Sequence, residues 1–152
     1  MITFIKPTDD LIKIMAKDMR KSDVIEVMAS HGHAPLEALR YSFAESEHVA
    51  MAISEGTPVS MIGVSVSNII TGLGHPWLLS SNELFKHKEY LFKIGPVVIN
   101  EMVAACPRLV NYVHHGNKTS IKWLKSLGFK IEGPEPYGVK GDLFHKFHMG
   151  VI

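Results

Sequence analysis

The stretch from Trp77 to Glu132 constrains this chain most. Short apolar runs alternate there with segments of helical length: Trp77-Leu78-Leu79, Phe85 to Ala105, Arg108 to His114, Asn117 to Leu127, and Phe129-Lys130-Ile131. The order reads as strand, helix, strand, helix, strand. Leu91, Val98 and Met102 give the first helix a buried face, and Ile121, Leu124 and Leu127 give the second its own. Two strands joined by a helical crossover lie parallel, with the helix packed on the sheet. Gly95-Pro96 inside the long helix predicts a kink or a restart, because proline removes a hydrogen bond there. Asn117 is positioned to cap the second helix, and Gly128 to let the chain leave it at positive φ.

The flanks extend the sheet. Ile2 to Ile5 reads as a short strand ended by Pro7. Thr8, with Asp9 and Asp10 behind it, starts a helix whose stripe is Leu11, Met15 and Met19. Ser22-Asp23 restarts a helix with Val24, Val27 and Met28 on one side, and Gly32 closes it. Pro35 opens a third helix with Leu36, Leu39 and Phe43 inward. Val49 to Ser54, the turn Glu55-Gly56-Thr57 and Pro58 to Ser67 make an antiparallel hairpin. Ser67 to Gly74 reads as loop or strand end, and Gly133, Pro134 and Pro136 read as a loop. Leu143 to Ile152 is the last strand. The expected fold is α/β, a mixed central sheet with helices on both faces.

Composition narrows the classes. With 152 residues and 46% apolar content, one domain over 1–152 is expected, large enough for a real core. The net charge of +1 is too balanced for a nucleic-acid footprint. No apolar run approaches the ~20 residues that span a bilayer, and Lys6, Asp9 and Asp10 interrupt any signal-peptide core. The expectation is a soluble, unexported chain bound to neither nucleic acid nor membrane. Cys106 is the one cysteine, so no internal disulfide can form. It reads as a buried core residue, as do the eight methionines. His31-x-His33 lacks a third ligand at metal spacing and reads as a solvated loop. No metal site is expected.

The element order, with Asn117, Ser120 and Gly128-Phe129 in series, is similar to the acyl-CoA N-acyltransferase (GNAT) fold. Nearly the whole chain also resembles the internal virion protein A family of short-tailed (podovirus) bacteriophages, a divergent GNAT branch. That resemblance rests on Asp18-Met19-Arg20-Lys21-Ser22-Asp23-Val24-Ile25-Glu26-Val27, Pro35 to Leu39, Gly56 to Val59, Trp77 to Ser81, Asn111-Tyr112-Val113 and Gly116 through Gly128. It implies acetyl-CoA as cofactor and N-acetyl transfer to an amine. Alternatively, it implies a scaffold without catalysis that serves virion assembly or meets a host protein. Its partners would be phage virion proteins or a host protein, and its location the host cytoplasm during assembly or the virion. Two departures stand out. The GNAT pyrophosphate loop is glycine-rich, yet Ser80 to Glu89 contains no glycine; and Leu124 stands where many members have the tyrosine that protonates the leaving thiolate.

The resemblance also nominates site residues. Backbone N–H groups near Leu79 and Ser80 are candidate donors to a thioester carbonyl. Lys86, His87 and Lys88 are candidates for phosphate contact, or else a solvated helix start. Asn117 either contacts the cofactor or caps its helix. Ser81, Tyr112 and His115 are the candidate catalytic residues, at the carboxyl ends of the central strands where open α/β sheets bind ligands. His114 and His115 point to opposite faces, so only one can line a cleft. An enzyme needs an opening between the strand ends at Ser80 and His114, and a side chain plugging it argues for the assembly reading.

Overall fold

The computed structural model describes residues 1–150. The elements run β1 (Ile2–Ile5), α1 (Asp9–Lys17), α2 (Lys21–His31), α3 (Pro35–Ala44), β2 (His48–Ser54), β3 (Thr57–Asn68), β4 (Leu73–Ser80), α4 (Lys88–Ala105), β5 (Arg108–His114), α5 (Lys118–Ser126), β6 (Lys130–Pro136) and β7 (Leu143–Met149). One sheet of seven strands carries them in the order β1-β2-β3-β4-β5-β7-β6. Among the described residues only β4 and β5 are parallel, joined by the α4 crossover. Among the described residues no helix is long and apolar enough to cross a membrane. Val151 and Ile152, the end of the expected last strand, lie outside the described residues.

Local chemistry places the boundaries. Thr8 Oγ1 accepts the Leu11 N–H at 3.3 Å and caps α1. Pro35 opens α3, and Glu37 reaches back to accept the Ala34 N–H at 3.1 Å. Glu55 and Gly56 both have positive φ, 49° and 79°, the twist that closes a tight hairpin. Asn117 caps α5, and Gly128 follows at φ 99°.

Three expectations are corrected. The long helix does not start at Phe85: Asn82–Lys86 is a separate 3-10 turn capped by Ser81, and α4 begins at Lys88. It then runs through Pro96 without a restart. Its Gly95 serves packing instead, since a Cβ there would meet Cδ2 of Leu127, at the end of α5, at 2.7 Å. Gly133 to Pro136 is not a loop but the outer half of β6, with a register shift between Ile131 and Pro134. An edge strand tolerates prolines, because no second neighbour needs their N–H. The helix expected to restart at Ser22-Asp23 does so one residue earlier, at Lys21, and the Asp23 side chain turns inward.

Two larger cores cover the faces of the sheet, with a smaller cluster of Ala52, Val59 and Leu84 beside them. On one face Ile12, Met15 and Leu39 of α1 and α3 pack over Met51, Met61 and Leu79. On the other, Ile99, Met102, Trp123 and Leu124 of α4 and α5 pack over Val64, Leu109, Val113 and Phe147, with Cys106 among them. Each fully buried side chain of this kind contributes roughly 1.5–3 kcal/mol.

One irregularity of the sheet positions everything that follows. The β4–β5 ladder pairs only Leu73 with Arg108 and Gly74 with Leu109. The Arg108 N–H donates to Gly72 O, while the Ser81 N–H donates to Val59 O in β3. Even-numbered residues of β4 therefore turn their backbone groups toward β5, and odd-numbered ones toward β3. Pro76 is the next even position after Gly74, and it has no N–H to donate. The ladder stops there. Side chains tie the first step of the gap: the ring Nδ1 of His75 meets Val110 O at 2.8 Å, and Asn111 Nδ2 donates to Pro76 O at 2.8 Å. Beyond that the strands separate.

Candidate active site

The separation opens a cavity of about 450 Å³ that passes through the sheet. Glu26 and Tyr41 line it from α2 and α3, Trp77 and Leu78 from β4, Tyr112 from β5, and Met102 from α4. Tyr112 stacks on Tyr137 with ring centroids 3.8 Å apart. Burial, then the neighbouring Tyr112, pushes the Tyr137 phenol above its ordinary range. Trp77 is held by its indole N–H, which donates to Ser46 Oγ at 2.7 Å.

At the carboxyl ends of β4 and β5 the gap is filled by charge. Arg20, Asp23 and Asn117 are only 5%, 1% and 2% exposed. Arg20 grips Asp23 with two bonds, Nη2 to Oδ1 at 2.9 Å and Nε to Oδ2 at 3.2 Å. The same Nη2 donates to Ser120 Oγ at 3.0 Å and to Asn117 Oδ1 at 3.3 Å, tying α2 to the start of α5. Asp23 Oδ2 also accepts the Ser80 N–H at 2.9 Å, and Ser80 O accepts the Arg20 N–H at 2.8 Å. Both gap-facing backbone groups of Ser80 are thus taken by the chain itself. Burial raises the Asp23 carboxyl, against the pull of Arg20 and the Ser80 N–H.

One turn further along α2, Glu26 Oε1 accepts the His114 N–H at 2.7 Å and the Asn117 side-chain amide at 3.5 Å. Both bonds fall on Oε1, and among the described residues Oε2 accepts none. Burial, and secondarily the charge of Asp23, pushes the Glu26 carboxyl up to about 7. Such a group changes protonation near neutral pH while lining a cavity.

The residues nominated from sequence divide. Tyr112 lines the cavity. Leu79 also lines it, though its side chain belongs to the α1–α3 core. Asn117 does cap α5, its Oδ1 accepting the Ser120 N–H at 3.4 Å, and it also holds Arg20. Three assignments are corrected. Ser80 cannot offer its N–H, which Asp23 occupies. The Ser81 hydroxyl faces away from the gap, donating to Pro58 O at 2.6 Å and accepting the Glu83 N–H. His115 points outward to His145, Nδ1 to Nε2 at 2.8 Å, and its partner His114 turns to Asp142 at 3.0 Å, so neither lines the cavity.

Lys86, His87 and Lys88 lie around the start of α4. Lys86 pairs with Glu83 at 3.1 Å, Lys88 sits over the Phe85 ring, and His87 links the 3-10 turn to the helix. His31 and His33 are not simply solvated; their rings stack beside Tyr41 at the cavity wall. Sequence reasoning missed Arg20, Asp23 and Glu26. The available signal was their spacing of three, which places all three on one side of a helix whose other side carries Val24 and Met28.

No family model matches the chain, and no curated protein matches it in sequence. Solved structures do. Spermidine N-acetyltransferase from Vibrio cholerae, solved with CoA and spermine, superposes with a TM-score of 0.72 over 97% of this chain and 94% of its own, at 8% identity. The GNAT superfamily phosphinothricin acetyltransferase from Sinorhizobium meliloti, solved with AcCoA, gives 0.65 over 98% and 89%, at 18% identity. An acetyltransferase from Agrobacterium tumefaciens gives 0.67 over 97% and 91%, at 14% identity. The fold is that of the GNAT acetyltransferases. In this GNAT fold the α1–α2 connection is the part that reaches across to β4. Met19 bridges Ser81, and the Asn82 N–H donates to Asp18 O at 2.9 Å.

Proposed function

We propose that this chain is an acetyl-CoA-dependent N-acetyltransferase that acts on an amine in the opening between β4 and β5. The observation that carries the reading is the end of the ladder at Gly74 and Leu109, with the cavity that follows. The GNAT neighbours solved with AcCoA or CoA support it.

The reacting end of the cleft fits such a reaction. Leu78 has the same parity as Pro76 and Ser80, so its backbone N–H turns into the opening, where a carbonyl oxygen finds a donor. Glu26 is placed to hold an ammonium and accept its proton. Acetyl-CoA would supply the activated thioester. The far end does not fit: Ser80 is already bonded to Arg20 and Asp23, and a 3-10 turn stands where a glycine-rich loop would hold pyrophosphate. No step is therefore assigned to the phosphate end.

That mismatch favours a second reading. The scaffold has given up cofactor chemistry and serves phage virion assembly or meets a host protein, in the host cytoplasm or the virion. Its support is the filled strand edge at Ser80 together with the resemblance to the internal virion protein A family.

Titration calorimetry with acetyl-CoA and with CoA separates the two. Micromolar binding, weakened by Lys88→Ala, supports the transferase reading, and an acceptor screen follows. No heat up to millimolar ligand overturns it and leaves the assembly reading, to be pursued by copurification with phage proteins.

A further inference from the structure

The cavity between β4 and β5 has a chemical bias that the acetyl-transfer reading does not itself dictate. Its lining combines aromatic rings with acidic groups, and His31, His33 and His75 also reach it. Tyr41, Trp77, Tyr112 and Tyr137 contribute rings, and Glu26 and Glu45 contribute the acidic groups. Among the described residues no lysine or arginine lines it. The rings are held in place rather than loose: Trp77 by Ser46, Tyr112 and Tyr137 by each other at 3.8 Å, Tyr41 by His33 at 5.2 Å. Glu26 is anchored through Oε1 alone, by the His114 N–H and Asn117. Among the described residues Oε2 accepts no hydrogen bond.

We propose that this cavity is a binding site for a small primary amine with an aromatic or similarly compact apolar body, its ammonium held by Glu26 and its body enclosed by Trp77, Tyr112 and Tyr137. Arg20 lies near Glu26 but is paired with Asp23, so with no lysine or arginine in the lining the Glu26 carboxylate is left to select a cation. Aromatic faces add attraction for an ammonium and for a flat apolar body. A volume of about 450 Å³ is at the small end of ligand pockets and suits one ring with a short arm. A long polyamine or a folded protein terminus would leave charge against the apolar walls. This deepens the proposed function, since the site's role as an acceptor site rests on that reading. Binding itself does not rest on it.

The test uses three probes on the intact protein: phenethylamine, its matched anion phenylacetate, and spermidine. Binding is read from tryptophan fluorescence, Trp77 and Trp123 both lining the cavity, and by calorimetry. Phenethylamine is expected to bind, with phenylacetate and spermidine at least about tenfold weaker. Glu26→Gln is expected to weaken phenethylamine by about tenfold or more, with an unchanged circular dichroism spectrum. Tyr41→Leu, at a half-exposed wall position, covers the case in which the Glu26 variant does not fold, and is expected to weaken the amine severalfold. Equal binding of amine and anion, preference for spermidine, no binding up to millimolar probe, or indifference to both substitutions overturns the proposal. Acetyl-CoA is titrated separately. Amine binding without acetyl-CoA binding keeps the site and removes the transferase reading; acetyl-CoA binding without amine binding does the reverse.

Discussion

Ser80 and Asp23, 57 residues apart in sequence, share one hydrogen bond of 2.9 Å that seals the carboxyl end of β4. Arg20 neutralises the carboxylate from the other side. Removing one charge strands the other in a buried site. Asp23→Ala is therefore expected to cost about 3–5 kcal/mol in denaturant unfolding. Replacing both, Arg20→Leu with Asp23→Leu, is expected to cost less than Asp23→Ala, about 1–3 kcal/mol, for the Ser80 N–H left without an acceptor. A double variant less stable than the single one would mean the pair contributes more than mutual neutralisation.

Glu26 supplies a pH dependence of defined sign. Its carboxyl is raised to about 7 in the fold, from an ordinary 4.5. Between those values the native state holds the proton more tightly than the unfolded chain, so stability is full at low pH and falls as pH rises through 7. The loss attributable to this group is at most about 3 kcal/mol. Glu26→Gln is expected to flatten that part of the stability profile, measured by urea titration across the range. Asp23, Arg20 and Asn117 also face this group. The comparison with Glu26→Gln isolates it from them. Any acetyl transfer in this cleft is expected to speed up through the same interval, as Glu26 becomes able to accept a proton.

Asn117 distinguishes a simple cap from a junction. A lone cap removed to alanine costs about 1 kcal/mol. Asn117 also accepts from Arg20 and donates to Glu26. Asn117→Ala is accordingly expected to cost about 2–3 kcal/mol. Asn117→Asp keeps the cap acceptor but sets a third carboxylate near Asp23 and Glu26. It is expected to be the less stable of the two at neutral pH and to recover on acidification.

At Gly95 helix propensity and packing give opposite signs. Alanine is the better helix former by about 1 kcal/mol. Its Cβ would meet Leu127 at 2.7 Å and crowd the Trp123 indole, an overpacking worth about 1–3 kcal/mol. Gly95→Ala is expected to lower the melting temperature, and Gly95→Ala with Leu127→Ala to recover part of the loss.

Much of this fold could be read locally. Thr8, Pro35, Asn117 and Gly128 act on backbone groups within a few residues of themselves, so their signals survive in a bare sequence. Strand extent could not be read in the same way. β4 is eight residues long because β3 pairs along it, and β6 continues through Pro134 because it is an edge. The candidate site was legible only in its location between two strand ends. Its chemistry depends on contacts such as Arg20 to Asn117, 97 residues apart, and Glu26 to the His114 N–H, 88 apart. Ser81 and His115 were placed near the right strand ends but on the wrong sides, since strand alternation cannot assign a face until a neighbour is known.

Pro76 has a kinetic consequence. A slot that opened by breaking ladder bonds would admit a guest only as fast as the sheet unzipped, and would close again when the guest left. Here the next donor is missing from the covalent structure, so no backbone bond has to rupture for entry. Arrival and departure in the aromatic chamber should be governed by side chains at its α2–α3 wall, on their own fast timescale.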